Sequence, residues 1–182
     1  RAVLPLLVRT EQVGLACDPD HLHDLTRTFT DEYAAICRRL RRLVGQAVDP
    51  VSPKQVSELL YGRLRIDPPG RMGKAGYYST EDKYLKARRD RHPAVGLVID
   101  GRHIDKLRGT YSEKLPHLLR QAADGTWRYH PDWRYTRTGT GRLAEAIIVL
   151  IPKHTRRGLL IRTAFYATVG HRLLAGDLSQ IE

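Results

Sequence analysis

Cysteine is scarce in this sequence, which holds only Cys17 and Cys37 among its 182 residues. Two cysteines are too few for a disulfide framework or a structural zinc site, and the eight histidines show no metal-ligand spacing. Long apolar runs are also absent, because the longest, residues 146–151, is only strand-sized. A membrane-spanning helix needs about 20 apolar residues, so we expect a soluble protein with no membrane partner.

Acidic residues are few beside basic ones. Asp and Glu number 20 against 31 for Lys and Arg, which gives a formal net charge of +11. Such an excess is self-repulsive unless a polyanion neutralises it, so nucleic acid leads the expected partners. A generally basic proteome is the alternative explanation, because arginine strongly outnumbers lysine. Apolar residues make up 41% of the chain, which is enough for one or two domains with a hydrophobic core.

The signals of a long amphipathic helix begin at Asp18 and end at Gly45. Asp18 suits the N-cap, Pro19 the first helical position, and Gly45 the position after the last turn. Apolar side chains recur between them at helical steps, at Leu22, Leu25, Phe29, Tyr33, Ile36, Leu40 and Leu43. The last turns also carry Arg38, Arg39, Arg41 and Arg42. Cations there suit the helix dipole, so we interpret them as a solvated face, with phosphate binding as the alternative.

Three shorter helices are predicted further along the chain. The first starts at Ser52, with Gln55 completing a capping box, and ends at Gly62. The other two cover about residues 79–89 and 93–115.

After residue 121 the pattern changes to that of strands. Aromatic residues alternate at Trp127, Tyr129, Trp133 and Tyr135. Apolar runs predict further strands at residues 147–151, 159–167 and 172–176. We therefore expect an α+β fold that is helical for about two thirds of its length and sheet-forming for the rest.

Asp177 follows the apolar residues 173–176 and is expected at the exposed end of a buried strand. Strand ends on a rigid scaffold are suitable places for metal-binding carboxylates, and Gly176 allows the backbone to be approached closely. An aspartate in this position is also typical of a turn or a helix cap. The residue pattern alone leaves both roles open.

Residues 177–182, D-L-S-Q-I-E, resemble motif A of the family A DNA polymerases, which is usually D-Y-S-Q-I-E. Residues 138–143 resemble the family's T-x-T-G-R-L, and Arg128 with His130 resembles the R-x-H that precedes it. Further matches follow the family's order at residues 52–55, 78–80, 92–93, 102, 106–107, 110–111, 151–152, 155, 158, 161–162 and 164–165. The ordered set spans essentially the whole chain, which makes the resemblance highly specific.

The sequence departs from the family pattern in three places. Leu178 stands where motif A usually has Tyr, and Gly101 stands where the thumb helix has the Tyr of Y-R. Residues 144–150 replace a stretch that is rich in Asn and Gln in the family and touches DNA there. We therefore expect the DNA contacts of this segment to differ.

The resemblance divides the chain into three parts. Residues 1–17 form a leading segment, and residues 18–120 form a helical thumb with a mobile, basic Gly/Pro-rich loop at 67–76. Residues 121–182 form the first antiparallel strands of the palm and end at motif A. The family's fingers and second catalytic Asp are not in this sequence. We expect a split or truncated chain that a second polypeptide, carrying the fingers and the rest of the palm, completes.

The resemblance implies phosphoryl transfer from a dNTP to a primer with two Mg²⁺ ions. It assigns Asp177 as the catalytic ligand of both metals and the backbone carbonyl of Leu178 as a ligand of one. It places Glu182 under the incoming sugar, where a 2′-hydroxyl is excluded, with a helix-start glutamate as the alternative role. Alone, the chain is expected to be inactive.

The resemblance also implies contacts with primer–template DNA. Arg142 is expected in the minor groove at the primer terminus, while Thr138 and Thr140 suit either phosphates or strand neighbours. The expected phosphate contacts of the thumb are Arg102, Lys106 and Arg108 on its helix and Arg71 and Lys74 in its loop.

We therefore expect part of a DNA-directed DNA polymerase in the cytoplasm of a bacterial or phage-infected cell. A second hypothesis is a non-catalytic duplex-DNA-binding module derived from a polymerase thumb, which needs neither Asp177 nor Glu182. A third is a basic RNA-binding or ribosome-associated protein, which the ordered motifs disfavour.

Overall fold

The computed structural model describes residues 4–134, 139 and 143–174. The chain forms two compact units, one of residues 26–109 and one of residues 1–25 with 110–182. We call them the helical unit and the sheet unit. Helices together with a small antiparallel sheet confirm the predicted α+β class. Across the described residues, no helix is both long enough and apolar enough to cross a membrane.

The helices of the described residues are α1 (Leu4–Val13), α2 (Pro19–Val44), α3 (Pro53–Ser57), α4 (Asp82–Lys86), α5 (Pro93–Leu107) and α6 (Arg156–Arg162). Wider π-helical turns cover Glu58–Arg63 and Arg108–Ser112, and 3-10 turns cover Arg89–Arg91, Leu115–Leu118 and Ile148–Leu150. The strands are β1 (Leu15–Ala16), β2 (Leu119–Gln121) and β3 (Trp127–Tyr129).

Helix α2 begins and ends where the sequence predicts. The Asp18 carboxylate accepts hydrogen bonds from the backbone amides of Asp20 and His21, which satisfies donors that the first turn leaves unpaired. Gly45 follows the last turn with a φ of 73°, in the left-handed region that ends helices. The cap at Asp18, the helical spacing of the apolar residues and the stop at Gly45 therefore all indicate the same helix.

Buried aliphatic side chains from four helices, among them Leu85 of α4, form the core of the helical unit. The cluster includes Leu40 and Val44 of α2, Val56, Leu59 and Leu60 of α3 and the turn after it, and Ala94, Val95, Val98 and Ile99 of α5. Burial of one such side chain contributes about 1.5–3 kcal/mol. This shared burial, more than any polar contact, holds these helices together.

The sheet unit contains a three-stranded antiparallel sheet with β3 in the middle. Leu15 of β1 and Leu119 of β2 both pair with Tyr129 of β3. The alternating aromatic pattern is a strand only over residues 127–129, because Trp133 lies beyond β3. Tyr135 lies outside the described residues.

Two of the strands predicted from apolar runs are wrong. Residues 148–150 form a 3-10 turn, and residues 159–162 of the next run lie in α6. Beyond the helix, Phe165 of that run makes a single antiparallel bridge with Cys17. Helix α6 starts because the Thr155 hydroxyl accepts a hydrogen bond from the amide of Gly158 at 3.1 Å. A short apolar run suits a strand or a helix equally, and here the cap decides. Residues 172–174 of the third run form no strand, and the rest of that run lies outside the described residues.

The shorter helices differ from the predictions at their ends. Ser52 caps α3 as expected, but the Gln55 side chain accepts from the amide of Asp49 at 2.9 Å and so does not complete a capping box. The helical turns continue through Gly62 to Arg63, because their buried side chains hold them in the core. Helix α4 starts later than predicted, and α5 gives way to π-helical turns.

Helix α5 packs closely against Pro50 at Gly101. A Cβ atom added at Gly101 would lie 2.9 Å from Pro50 Cβ and 3.0 Å from its Cγ. No larger side chain fits at that separation without movement. The glycine that replaces the family's Tyr is therefore matched to the packing of this chain.

We predict that Gly101→Ala lowers the free energy of unfolding by about 1–2 kcal/mol, because overpacking outweighs the gain of roughly 1 kcal/mol in helix propensity. Gly96→Ala on the same helix is the matched control, since a Cβ there meets nothing within 4 Å. The control is expected to stabilise the protein by up to about 1 kcal/mol. Urea unfolding measures both, and equal stabilisation by the two substitutions would contradict the close contact with Pro50.

Candidate nucleic-acid interface

The residues predicted to perform the chemistry, and three of those predicted to contact DNA, lie outside the described residues. They are Thr138, Thr140, Arg142, Asp177, Leu178 and Glu182. Within residues 4–134, 139 and 143–174, no group of three or more His, Cys, Asp or Glu side chains comes together. The assigned metal ligands therefore stay predictions.

The basic loop at residues 67–76 contains neither helix nor strand. Its backbone turns at Gly70 and Gly76, whose φ angles of 70° and 78° lie in the region that glycine adopts without strain. Arg71 and Lys74 are both exposed. Both cations therefore face solvent, where a phosphate can reach them.

The cations predicted on the thumb helix lie in different surroundings. Lys106 is exposed on α5. The guanidinium of Arg108 lies 2.9 Å from a carboxylate oxygen of Asp105 and 5.7 Å from the ring centre of Tyr33. An ion pair and a cation–π contact leave Arg108 less available to phosphate than Lys106 is.

Arg102 is half-buried and donates hydrogen bonds to the protein itself. Its Nε donates to the carbonyl of Pro50 at 2.7 Å, and its Nη2 donates to the hydroxyl of Thr80 at 3.0 Å. Its Nη1 donates to the Thr80 carbonyl. Burial lowers the pKa of Arg102, because the guanidinium loses water around it. The structure thus gives Arg102 protein partners, and its phosphate contact stays a prediction.

The four arginines near the end of α2, at 38, 39, 41 and 42, are exposed. Arg39 and Arg42 line a cavity of about 550 Å³ that also includes Asp100 of α5. Two cations and one carboxylate leave this cavity net positive. The arginine face therefore extends the basic surface of the helical unit.

A buried carboxylate, Glu145, organises the segment that lacks the family's Asn and Gln; it is 6% exposed. It accepts hydrogen bonds from the amides of Ile147 at 2.9 Å and Val149 at 3.3 Å, and from the phenol of Tyr129. Burial raises the pKa of Tyr129, and the neighbouring carboxylate raises it further. The turn around Glu145 leaves Val149 and Leu150 52% and 62% exposed, so its surface is apolar.

The sequence analysis missed two residues that the structure places in structural roles, Glu145 and Arg88. A glutamate within an apolar run is itself a signal, because a carboxylate buried there needs hydrogen-bond donors. Arg88 donates from Nε to the carbonyl of Asp67 at 2.6 Å. That contact has no sequence signal, since every residue carries a carbonyl.

Known proteins resemble this chain in sequence and in fold. A sequence model of DNA polymerase family A matches residues 19–182. DNA polymerase I of Treponema pallidum (strain Nichols) is 38% identical over 182 residues, which cover 99% of this chain and 18% of that protein. The thermostable DNA polymerase I of Thermus caldophilus is 34% identical over 179 residues, which cover 97% of this chain and 21% of that protein.

A solved structure is similar as well. It is the POL domain of Pol1 from M. smegmatis in complex with DNA primer-template and dNTP, with a TM-score of 0.76 and 27% identity. The match covers 90% of this chain and 28% of that one. The chain therefore belongs to DNA polymerase family A. It spans about a fifth of the length of the relatives named above.

We predict that Tyr129→Phe lowers the free energy of unfolding by about 1.5–3 kcal/mol, because the buried Glu145 loses a hydrogen-bond donor. Tyr166→Phe is the control, since that side chain is 43% exposed. Because the pKa of Tyr129 is raised in the folded state, its neutral phenol stabilises the protein fully below about pH 10. Above that pH the unfolded state ionises first, so the difference between wild type and variant should shrink. Thermal unfolding from pH 7 to 11 measures this, and a difference that grows with pH would contradict the pairing.

Proposed function

We propose that this chain is the thumb and first part of the palm of a DNA polymerase, and that it grips primer–template duplex during template-directed nucleotidyl transfer. The observation that carries the proposal is the exposed basic surface of the helical unit, with Arg71, Lys74 and Lys106 all open to solvent. Membership of family A supports it. So does the M. smegmatis relative, whose structure contains primer-template and dNTP.

In this proposal residues 18–120 act as the thumb and residues 121–182 as the start of the palm. Phosphate contacts carry no sequence information, so the thumb holds any duplex in register. Arg142 contacts the minor groove at the primer terminus, where Watson–Crick pairs present acceptors at equivalent positions. Thr138 and Thr140, which precede Arg142 in the sequence, are assigned as phosphate contacts.

The chemistry belongs to the last residues of the chain. Asp177 and the carbonyl of Leu178 supply hard oxygen ligands, and Glu182 packs under the sugar of the incoming dNTP. Bound Mg²⁺ would activate the primer hydroxyl and stabilise the leaving pyrophosphate. One carboxylate holds Mg²⁺ weakly, so nucleotidyl transfer also needs the fingers and another aspartate, supplied by another chain or by a segment outside residues 1–182. The chain alone is then inactive.

We predict that the isolated chain binds duplex DNA with little sequence preference and steep salt dependence, with a slope of about 0.9 in log affinity against log salt for each phosphate neutralised. Replacing Arg71 and Lys74 together by Gln removes two exposed cations, so the slope should fall by about 0.9 for each. Arg9→Gln with Arg120→Gln is the charge-matched control, since both arginines are exposed in the sheet unit. Fluorescence anisotropy across a salt series measures the slopes. A flat salt response of the wild-type chain would remove the thumb assignment.

We predict that a mixture of this chain with a polypeptide carrying the fingers and the remaining palm extends a primer in Mg²⁺, while either chain alone does not. Asp177→Asn should abolish extension and leave duplex affinity nearly unchanged, because the change is isosteric and removes only a metal-binding charge. Primer extension and anisotropy are measured on the same samples. Extension by the Asn variant would show that the catalytic carboxylate lies elsewhere. Duplex binding without any reconstituted extension would favour a non-catalytic DNA-binding module.

A further inference from the structure

The basic loop and the segment that follows it, residues 67–80, are together called the 67–80 loop. Two arginines outside it attach its two ends to the neighbouring helices. At the first end, Arg88 donates from Nε to the carbonyl of Asp67 at 2.6 Å, and from Nη1 to the carbonyl of Tyr84 at 3.2 Å. At the second end, Arg102 donates to both the carbonyl and the hydroxyl of Thr80. Each guanidinium therefore joins one end of the loop to a helical segment.

Two tyrosines strengthen the second end. The Tyr61 phenol donates to the carbonyl of Ser79 at 3.1 Å, and the amide of Tyr78 donates to the buried hydroxyl of Ser57 at 3.0 Å. The rings of Tyr61 and Tyr78 meet edge to face, with centres 5.6 Å apart. Thr80 itself is buried. Residues 78–80 are thus held by contacts with side chains, backbone and core.

Two backbone hydrogen bonds lie within the segment between these ends. They run from the Gly76 amide to the Gly73 carbonyl and from the Gly73 amide to the Tyr77 carbonyl, both at 3.0 Å. These bonds close a turn within the loop and leave Arg71 and Lys74 exposed. Fixed ends with a compact turn between them restrict where the two cations can lie.

We propose that Arg88 and Arg102 are positioning residues that hold the two ends of the 67–80 loop, and thereby present Arg71 and Lys74 to a polyanion, without contacting phosphate themselves. That the polyanion is duplex DNA rests on the proposed function. For Arg102 the proposal differs from the phosphate contact that the sequence predicts from its charge and its place on the helix.

Donor geometry and solvation support this assignment. Of the five N–H donors of a guanidinium, Arg102 directs three to Pro50 and Thr80. Moving the side chain to a phosphate would leave these part-buried acceptors without their partner, which is unfavourable. A loop whose ends are already fixed also loses less conformational freedom when it binds.

The test is a double-mutant cycle between Arg102→Lys and the loop pair Arg71→Gln with Lys74→Gln. Lysine keeps the charge but lacks the planar fork that reaches Pro50 and Thr80 together. In the wild-type background, Arg102→Lys should lower duplex affinity about 3- to 10-fold with no change in the salt slope, because no phosphate contact is lost. In the protein that already carries Arg71→Gln and Lys74→Gln, Arg102→Lys should cause no further loss of duplex affinity. Anisotropy across a salt series measures all four proteins.

Lys106→Gln is the matched comparison, since Lys106 is an exposed cation on the same helix. If Lys106 contacts phosphate directly, Lys106→Gln should lower the slope of log affinity against log salt by about 0.9. The decrease should be the same in the wild-type protein and in the protein with Arg71→Gln and Lys74→Gln. If Arg102→Gln gives that same additive pattern, Arg102 contacts phosphate and the proposal is overturned. If the Arg102 variants do not fold, the cycle is run with Arg88→Lys, for which the same two outcomes support or overturn the proposal.

Amide hydrogen exchange tests the anchoring of the loop without DNA, so a failure of the anchoring can be told apart from a failure of the proposed function. If the wild-type chain binds no duplex, the proposed function fails, yet the anchoring of the loop is still measurable. Arg102→Lys should speed amide exchange at residues 77–80 by about tenfold or more, while the amides of α5 keep their protection. Arg88→Lys should do the same at Ile66, which precedes Asp67 and whose amide donates to the Leu60 carbonyl at 3.0 Å. Unchanged exchange at both ends in the two variants would overturn the anchoring itself.

Discussion

The contact between α5 and Pro50 is the constraint on which the arrangement of the helical unit depends. Gly101 has no side chain, so the proline ring can approach the helix closely. The next residue, Arg102, then reaches the carbonyl of the same proline at 2.7 Å and extends to Thr80. The close approach of Gly101 to Pro50 thus sets the position of α5 relative to the segment at Pro50. Through Arg102 it also sets the position of Thr80, at the second end of the loop.

The sequence predicts an element correctly where its N-cap, its apolar spacing and its stop residue all indicate the same structure. Helix α2 has a cap at Asp18, an uninterrupted apolar period and a glycine stop, so its limits followed from the sequence alone. The apolar runs near residues 148 and 159 have no such agreement. There the outcome depends on the Thr155 cap and on the Glu145 carboxylate, which fold the chain into turns and a helix instead of strands.

The candidate site also has one part that the sequence predicts and another that it does not. The exposure of Arg71 and Lys74 follows from a Gly/Pro-rich loop that cannot join the core, so composition was enough to predict it. The surroundings of Arg102 depend on Pro50 and Thr80, which are far from it in the sequence. Tertiary hydrogen bonds to backbone carbonyls have no local pattern, so no reading of neighbouring residues reveals them. Charge and helical spacing assigned Arg102 to phosphate, and neither of them records which partners surround a side chain.

Anchors that act on main-chain oxygens place few demands on side-chain identity. Arg88 and Arg102 bind carbonyls at positions 67 and 80, and any amino acid supplies a carbonyl. Mutations between those positions can therefore accumulate, and insertions at the turn can lengthen it, while the two points of attachment stay where they are. In descendants of this chain the loop can therefore change in length and in the residues around Arg71 and Lys74, whereas selection on its attachment falls on two arginines that lie outside it.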